Sequence, residues 1–307
     1  MTDPGWPFDD DVRGAAFAVA YRMLGSVAEA EDVVQETLLR VHGARERGER
    51  IESPRAYAAT VAARLAIDAL RSARVRRETY PGEWLPEPVV SDPMDDPEQR
   101  AEMADSLSLA FLVLLETLSP EQRAALLLHD VFGYGYDEVA RIVGKSEDNA
   151  RQLAARARRH VSERRPRFQT SRQERDELAQ RFFAAAQEGD LAGLESLLAH
   201  DVTLHGDGGG KAPALARSLS GRSRVARTLL AWMRAGARIP GAALRQVEVN
   251  GQPGAVMLDG EGRVISVMAL DVEGGEVVAV RSIVNPEKLG HLGPVADVRA
   301  LLRRDEV

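Results

Sequence analysis

The sequence predicts several domains: two all-α units, a helical bundle and a helix-turn-helix, followed by an α+β domain. Three observations carry this. Apolar residues recur at helical spacing behind Ser and Ser-Pro caps over residues 12–77 and 119–161. A glycine turn, Gly144-Lys145, joins a short helix to a basic one. Four strand-like runs lie near the end, separated by Asn250-Gly251, Asp259-Gly260 and Gly274-Gly275. A length of 307 residues leaves room for two or three cores.

Composition narrows the function classes. The chain has no cysteine, so disulfides and thiolate metal sites are excluded. No apolar run approaches a membrane span and residues 1–11 are acidic, unlike a signal peptide, so a cytoplasmic protein with no membrane partner is expected. The net charge is −7, yet positive charge gathers in residues 71–77 and 151–167 while acids dominate 83–105. Such segregation suits nucleic-acid contact better than the total does.

Taken in order, residues 12–24 read as a core helix, and Gly25-Ser26 breaks and caps the next one. That helix, 28–42, buries Val33, Val34, Thr37, Leu38 and Val41 and presents Asp32, Gln35, Glu36 and an apolar Leu39. An acidic face holding a leucine reads equally as a protein-docking surface or a solubilising one. Residues 43–52 read as a polar loop. Ser53-Pro54 then restarts helix to Arg77, with Ala58, Val61, Ala62, Leu65 and Ala69 facing the core. A second stripe, Thr60, Arg64, Ile67, Arg71 and Arg74, runs along a helix of roughly 36 Å and spans several phosphates, or is a solvated face. Residues 81–105 read as an acidic, proline-rich linker, either stiff and extended or disordered. Within it Trp84-Leu85-Pro86-Glu87-Pro88 places an indole and a Leu among prolines, and predicts docking on something folded, with Trp84 as a buried anchor.

Ser119-Pro120-Glu121-Gln122 is a capping box opening a helix that ends at Gly133. A short helix over 137–143 follows, then a third capped by Ser146, with Ala150, Leu153, Ala154, Ala157 and Val161 on its apolar stripe. Its other face carries Asn149, Arg151, Gln152, Arg156 and Arg159, with Arg158, Arg164, Arg165 and Arg167 close behind. Amide and guanidinium groups in the first turns are where base edges are read in a major groove. The alternative is a helical hairpin with a solvated arginine face.

Residues 30–41 (Ala-Glu-Asp-Val-Val-Gln-Glu-Thr-Leu-Leu-Arg-Val) resemble the polymerase-binding helix of bacterial sigma factors. Ser53-Pro54-Arg55-Ala56-Tyr57 through Arg71 resembles their promoter-melting helices, and Leu118-Ser119-Pro120-Glu121-Gln122-Arg123 onward resembles region 4. Order and spacing match the extracytoplasmic-function type, with regions 2 and 4 only. The resemblance implies that Asp32, Gln35, Glu36 and Leu39 grip core RNA polymerase. It assigns Arg55, Tyr57, Thr60, Arg64, Arg71 and Arg74, with the preceding loop, to the opened −10 strand of promoter DNA, and Ser146, Asn149, Arg151, Gln152, Arg156 and Arg159 to the −35 element. It also implies a linker threading the RNA channel of polymerase. Tyr57, where a Trp is common, and the glycine-rich Gly133-Tyr134-Gly135-Tyr136 are departures that bear on promoter preference.

From Arg172 amphipathic helices (Leu178, Phe182, Phe183; Leu191, Leu194, Leu197, Leu198; Val225, Leu229, Leu230, Met233) precede strands at 244–249, 255–258, 264–272 and 277–284, an antiparallel meander. Gln187-Glu188-Gly189-Asp190-Leu191 and Leu197-Leu198-Ala199-His200-Asp201-Val202 resemble the SnoaL-like polyketide-cyclase fold, a cone-shaped α+β domain around a cavity, which implies a small ligand as a candidate partner. A group of extracytoplasmic-function sigma factors carries it. Their shared marks imply regulatory roles for Trp84 and Pro86, for Asp207 and Lys211 of Asp-Gly-Gly-Gly-Lys, and for Asn285, Pro286, Lys288 and Leu289. SnoaL-like enzymes place His and Asp inside the cone, for which His205, Asp207 and Asp271 are available. A structural role is the commoner one for such residues, so no catalytic residue, metal or cofactor is expected.

The domains expected are therefore 1–80 (region 2), 81–105 (linker), 106–168 (region 4), 172–292 (SnoaL-like) and 293–307 (tail). The expected function is a sigma factor controlled in cis by its C-terminal domain. The alternatives are a one-component helix-turn-helix regulator with a ligand domain, and a cyclase-like enzyme tethered to DNA.

Overall fold

The computed structural model describes residues 9–91, 107–163 and 170–303, with the side chains of 9, 73–78 and 303 outside the description. Outside it too fall most of the acidic linker (Asp92, Pro93, Asp95, Asp96, Pro97, Glu98, Glu102, Asp105), the side chain of Arg74, and Arg164, Arg165 and Arg167. The chain divides into two compact units, 1–79 with 112–165, and 80–111 with 166–307.

In the first unit α1 (Asp9–Leu24), α2 (Val27–Glu46) and α3 (Pro54–Glu78) form a bundle. The Ser26 hydroxyl accepts from Glu29 N–H and opens α2. α2 runs a full turn past His42, through part of the expected polar loop, because Ala44 is buried and Gly43 meets no backbone clash. The core is built from small residues, among them Ala16, Ala20, Ala58, Ala62 and Ala66, which let helices approach closely. α3 buries more than one face: Ala59, Ala63, Ile67 and Leu70 are covered as well. Ile67, expected on the exposed stripe, is therefore a core residue, and the basic stripe is interrupted at it.

The same unit continues with α4 (Leu109–Leu115), which begins just before it, then α5 (Pro120–Leu126), α6 (Tyr136–Val143) and α7 (Glu147–Ser162). α5 opens on the predicted capping box, with the Gln122 side chain returned to Ser119 N–H. It widens into a π turn over Leu127–Val131. Gly144 takes φ +68°, the left-handed cap that lets α7 leave α6 at a sharp angle. Arg123 is 2% exposed, and its Nε donates to Leu115 O at 3.0 Å while its terminal nitrogens reach Met23 O and Glu116. Burial pushes that guanidinium down to about 9.

The second unit holds α8 (Arg172–Glu188), α9 (Leu191–Leu197), α10 (Arg222–Ala237) and a seven-stranded sheet. Its strands are β1 (Val90–Ser91), β2 (Leu198–Asp207), β3 (Leu219–Ser220), β4 (Ala243–Val249), β5 (Gln252–Leu258), β6 (Val264–Glu273) and β7 (Glu276–Ile283), ordered β1-β4-β5-β6-β7-β2-β3. The meander β4–β7 is as expected, but the sheet is mixed. β2 lies parallel to β7, with Leu204 opposite Val280 and Asp207 opposite Ile283. Leu198, expected on a helix, starts that strand. The edge strand β1 comes from the linker, Val90 opposite Val249. The three helices cover one face over Phe182, Leu194, Leu204, Leu229, Leu270 and Val280. A short helix α11 (Val298–Arg303) closes the described chain.

Candidate functional site

Each predicted surface has a distinct environment. On α2, Asp32 and Gln35 are exposed, Glu36 holds Arg40 at 2.9 Å, and Leu39 is 67% exposed. These residues follow i, i+3, i+4 and i+7 and so share one face. A partner covering the Leu39 side chain gains roughly 1.5–3 kcal/mol from its burial.

On α3 the described basic residues are engaged. Arg55 pairs with Asp11 at 3.2 Å. Arg64 donates to Arg141 O of α6 at 3.2 Å, and Arg71 bridges Asp68 and Glu121 of α5, each at 2.9 Å. Tyr134 reaches Ala56 O at 3.4 Å and makes a side-chain bond to the half-buried Thr60. The face predicted to hold a DNA strand is thus tied at Ala56, Thr60, Arg64 and Arg71 to the α5–α6 segment, with its described arginines still exposed and Tyr57 half-buried.

On α7, Ala150, Ala154, Ala157 and Val161 are buried, and Asn149, Gln152, Arg156 and Arg159 are exposed, as the periodicity predicts. The Ser146 hydroxyl caps the helix through Asn149 N–H. Arg151 pairs with Glu147 at 2.9 Å and lies 4.8 Å from the Tyr136 ring, which itself stacks on His129. Arg158, one of the arginines close behind, grips Asp130 with two nitrogens at 2.6 and 2.8 Å. That guanidinium braces α7 against the π turn.

The most constrained cluster lies where the linker crosses the sheet face away from the helices. Asp207, fully buried, accepts from Tyr80 Oη at 2.6 Å, Leu85 N at 2.8 Å, Lys288 Nζ at 2.6 Å and Gly209 N at 3.1 Å. Lys288 also reaches Leu85 O and lies 4.3 Å from the Trp84 ring and 4.8 Å from that of Tyr80. Asn285 donates to Tyr80 Oη at 2.7 Å and caps the 3-10 turn Pro286–Lys288 through Glu287 N–H. Burial, then the Asp207 carboxylate, raise the Tyr80 phenol far above its ordinary range. Two backbone approaches fix the loop: a Cβ at Gly209 would sit 2.2 Å from Asn285 Nδ2, and one at Gly210 would sit 3.0 Å from Pro81.

The linker is held further along as well. His205 Nδ1 meets Glu83 at 2.6 Å, His291 meets Pro88 O at 2.8 Å, and Asn250 bonds both Val89 N and Leu107 O at 2.9 Å. The docking expected of Trp84-Leu85-Pro86-Glu87-Pro88 is present, but its anchor is Leu85, fully buried with Pro86 behind it; Trp84 is only half-buried, beneath the Lys288 ammonium. Leu289 is also fully buried. Lys211 pairs with Glu287 at the surface and does not belong to the buried cluster. Tyr80 and the anchoring role of Leu85 were missed from sequence; a Tyr one position outside the linker carries no mark of its own.

His205, Asp207 and Asp271, the candidate acid–base residues, are not inside the cone. Strand alternation turns Gly206, Met268 and Ser282 toward the helix-side cavity and their neighbours to the other face. There Asp271 pairs with Arg281 at 2.9 Å, both buried. Among the described residues no helix is long and apolar enough to cross a membrane.

Comparison with known proteins bears on all three segments. The family model for sigma-70 region 2 matches residues 10–76, that for sigma-70 region 4 matches 108–161, and that for a SnoaL-like domain matches 179–284. The chain is similar to the ECF RNA polymerase sigma factor SigJ of Mycobacterium tuberculosis, 41% identical over 287 residues and 90% of each chain. It is 31% identical to the probable ECF RNA polymerase sigma factor SigI of the same species, over 89% of this chain and 91% of that one. The crystal structure of M. tuberculosis SigJ superposes with a TM-score of 0.73 at 37% identity, covering 92% of this chain and 97% of that one.

Proposed function

The chain belongs to the extracytoplasmic-function RNA polymerase sigma factors, and we propose that it directs core polymerase to its promoters under control in cis by its SnoaL-like domain. Residues 1–80 serve as region 2, 106–168 as region 4, 172–292 as the control domain and 293–307 as its tail. The α2 face (Asp32, Gln35, Glu36, Leu39) docks on polymerase. The α3 residues Arg55, Tyr57, Thr60, Arg64, Arg71 and Arg74 take the −10 strand. Ser146, Asn149, Arg151, Gln152, Arg156 and Arg159 of the α7 region read and grip the −35 element. The protein works in the cytoplasm, where polymerase is.

The observation carrying the control is Asp207, a buried carboxylate whose donors come from both the linker and the Asn-Pro-Glu-Lys-Leu turn. A linker pinned to one domain fixes where its two ends begin. In the closed state the α3 face is occupied by Arg64–Arg141 and Arg71–Glu121, and opening frees it for DNA. The domain is a regulator rather than an enzyme: its candidate acids and base are each spent on the linker or on an internal ion pair. Its cavity accepts a small ligand.

Run-off transcription with purified core polymerase tests the assignment. Adding the chain should confer initiation at a discrete site on promoter DNA; initiation unchanged from core alone would contradict it.

A further inference from the structure

The helix side of the sheet lines a cavity of about 190 Å³ that no described linker residue touches. Among the described residues no charged side chain lines it, so a carboxylate, phosphate or ammonium entering there would be stripped of water without a partner. That lining suits a neutral ligand. An apolar cavity of about 150 Å³ accommodates benzene, so this one holds a ring with several further atoms. The thioethers of Met233, Met257 and Met268 surround it with the Trp232 indole, a wall suited to ring edges and faces. Among the described residues two hydroxyls, of Ser266 and Ser282, are the side-chain hydrogen-bonding groups in that wall, apart from the indole N–H.

Val298 and Leu302 of α11 complete the lining, and the cavity stays open with them in place. The tail helix is therefore a wall and not a plug. It is held through Ala296 N–H on Val264 O at 2.9 Å and through Arg299, which donates to Gly210 O at 2.7 Å. Gly210 is the residue packed on Pro81 of the linker.

We propose that this cavity binds a small, neutral, planar aromatic molecule carrying one or two oxygen atoms, and that its occupancy holds α11 against the Gly210 loop and so against the linker. Ring contacts to Val298 and Leu302 exist only with α11 docked, so ligand and docked tail stabilise each other reciprocally. The regulatory consequence rests on the proposed function above; the binding itself does not.

The test uses the full chain with 1-naphthol, naphthalene and naphthalene-1-sulfonate as probes, read by calorimetry and thermal unfolding. 1-Naphthol should saturate one site and raise the unfolding temperature. Naphthalene should bind about tenfold more weakly for want of the hydrogen bonds, and the sulfonate should not bind. Ser282→Ala or Ser266→Ala should narrow the naphthol–naphthalene difference. Arg299→Ala should weaken naphthol by a few-fold through the tail alone, because Arg299 does not line the cavity. Ser266→Phe fills the cavity and should abolish binding, with Ala214→Trp doing so from the loop side if that variant misfolds. Saturation by the sulfonate as well as by naphthol, or binding that survives both filling variants, would overturn the proposal. So would failure of naphthol to bind. If naphthol binds as described while transcription ignores it, the ligand site stands and only its link to control falls.

Discussion

Asp207 and Lys288 form an ion pair at 2.6 Å with 0% and 8% of their side chains exposed, and Tyr80 and the linker residue Leu85 supply two of the other groups on that carboxylate. Removing one partner leaves the other charge buried, at a typical cost of ~3–5 kcal/mol, whereas removing both leaves none. Asp207→Asn and Lys288→Met should each lower the unfolding temperature of the C-terminal domain. The double variant should recover part of the loss. Additive losses would mean that the two groups do not act on each other.

The α2 face should be a binding surface and not a stabilising one. Reversing charge with Asp32→Arg and Glu36→Arg should cut capture of core polymerase at least tenfold, ~1.4 kcal/mol, while leaving the unfolding temperature unchanged. Leu39→Asp should act alike. Undiminished capture would remove the assignment.

Along α7 the prediction separates readers from braces. Gln152→Ala or Arg151→Ala should cost ~1–3 kcal/mol at the −35 element and relax one base position. Arg158→Ala should instead lower stability, since its guanidinium is committed to Asp130. Equal, sequence-independent losses in all three would place the helix in another register.

Glu121 is held below the ordinary carboxylate range, first by its bond to Arg71. A carboxylate depressed in the folded state contributes stability above its unfolded pKa and loses it as pH falls through the folded value. The α3–α5 tie should therefore be present at neutral pH and weaken on acidification. The pair is solvated on the Arg71 side, so its contribution to stability is small. Arg71→Ala should return the Glu121 carboxyl to its ordinary titration, followed by NMR. A titration indifferent to that change would show that the closed contact does not persist in solution.

The helices and the β4–β7 meander were legible because their signals are local: Ser26, Ser119 and Ser146 cap as they read, and the Asn250-Gly251 and Gly274-Gly275 turns join the strands expected. What the sequence hid depends on distant partners. Nothing within β2 announces that it lies parallel to β7, because parallel pairing leaves no turn between the strands. Ile67 sits on the basic stripe by count, yet α3 is covered on more than one side, and a single-stripe reading cannot see a second neighbour. Trp84 has the larger ring, but Leu85 is inserted, since the Asp207 bond to its backbone aims that side chain at the sheet. His205, Asp207 and Asp271 fall on the outer face by strand alternation, and fixing that face requires the register.

The central claim is that the linker-bearing C-terminal domain sets transcription by core polymerase. Run-off transcription comparing the full chain, a chain ended after Leu289 and a chain ended before Arg172 tests it most directly. The first cut removes α11 and its hold on Gly210 and should raise transcript yield; the second removes the Asp207 cluster that fixes the linker and should lower it. Equal yields from all three chains would make the domain a passenger and contradict the account.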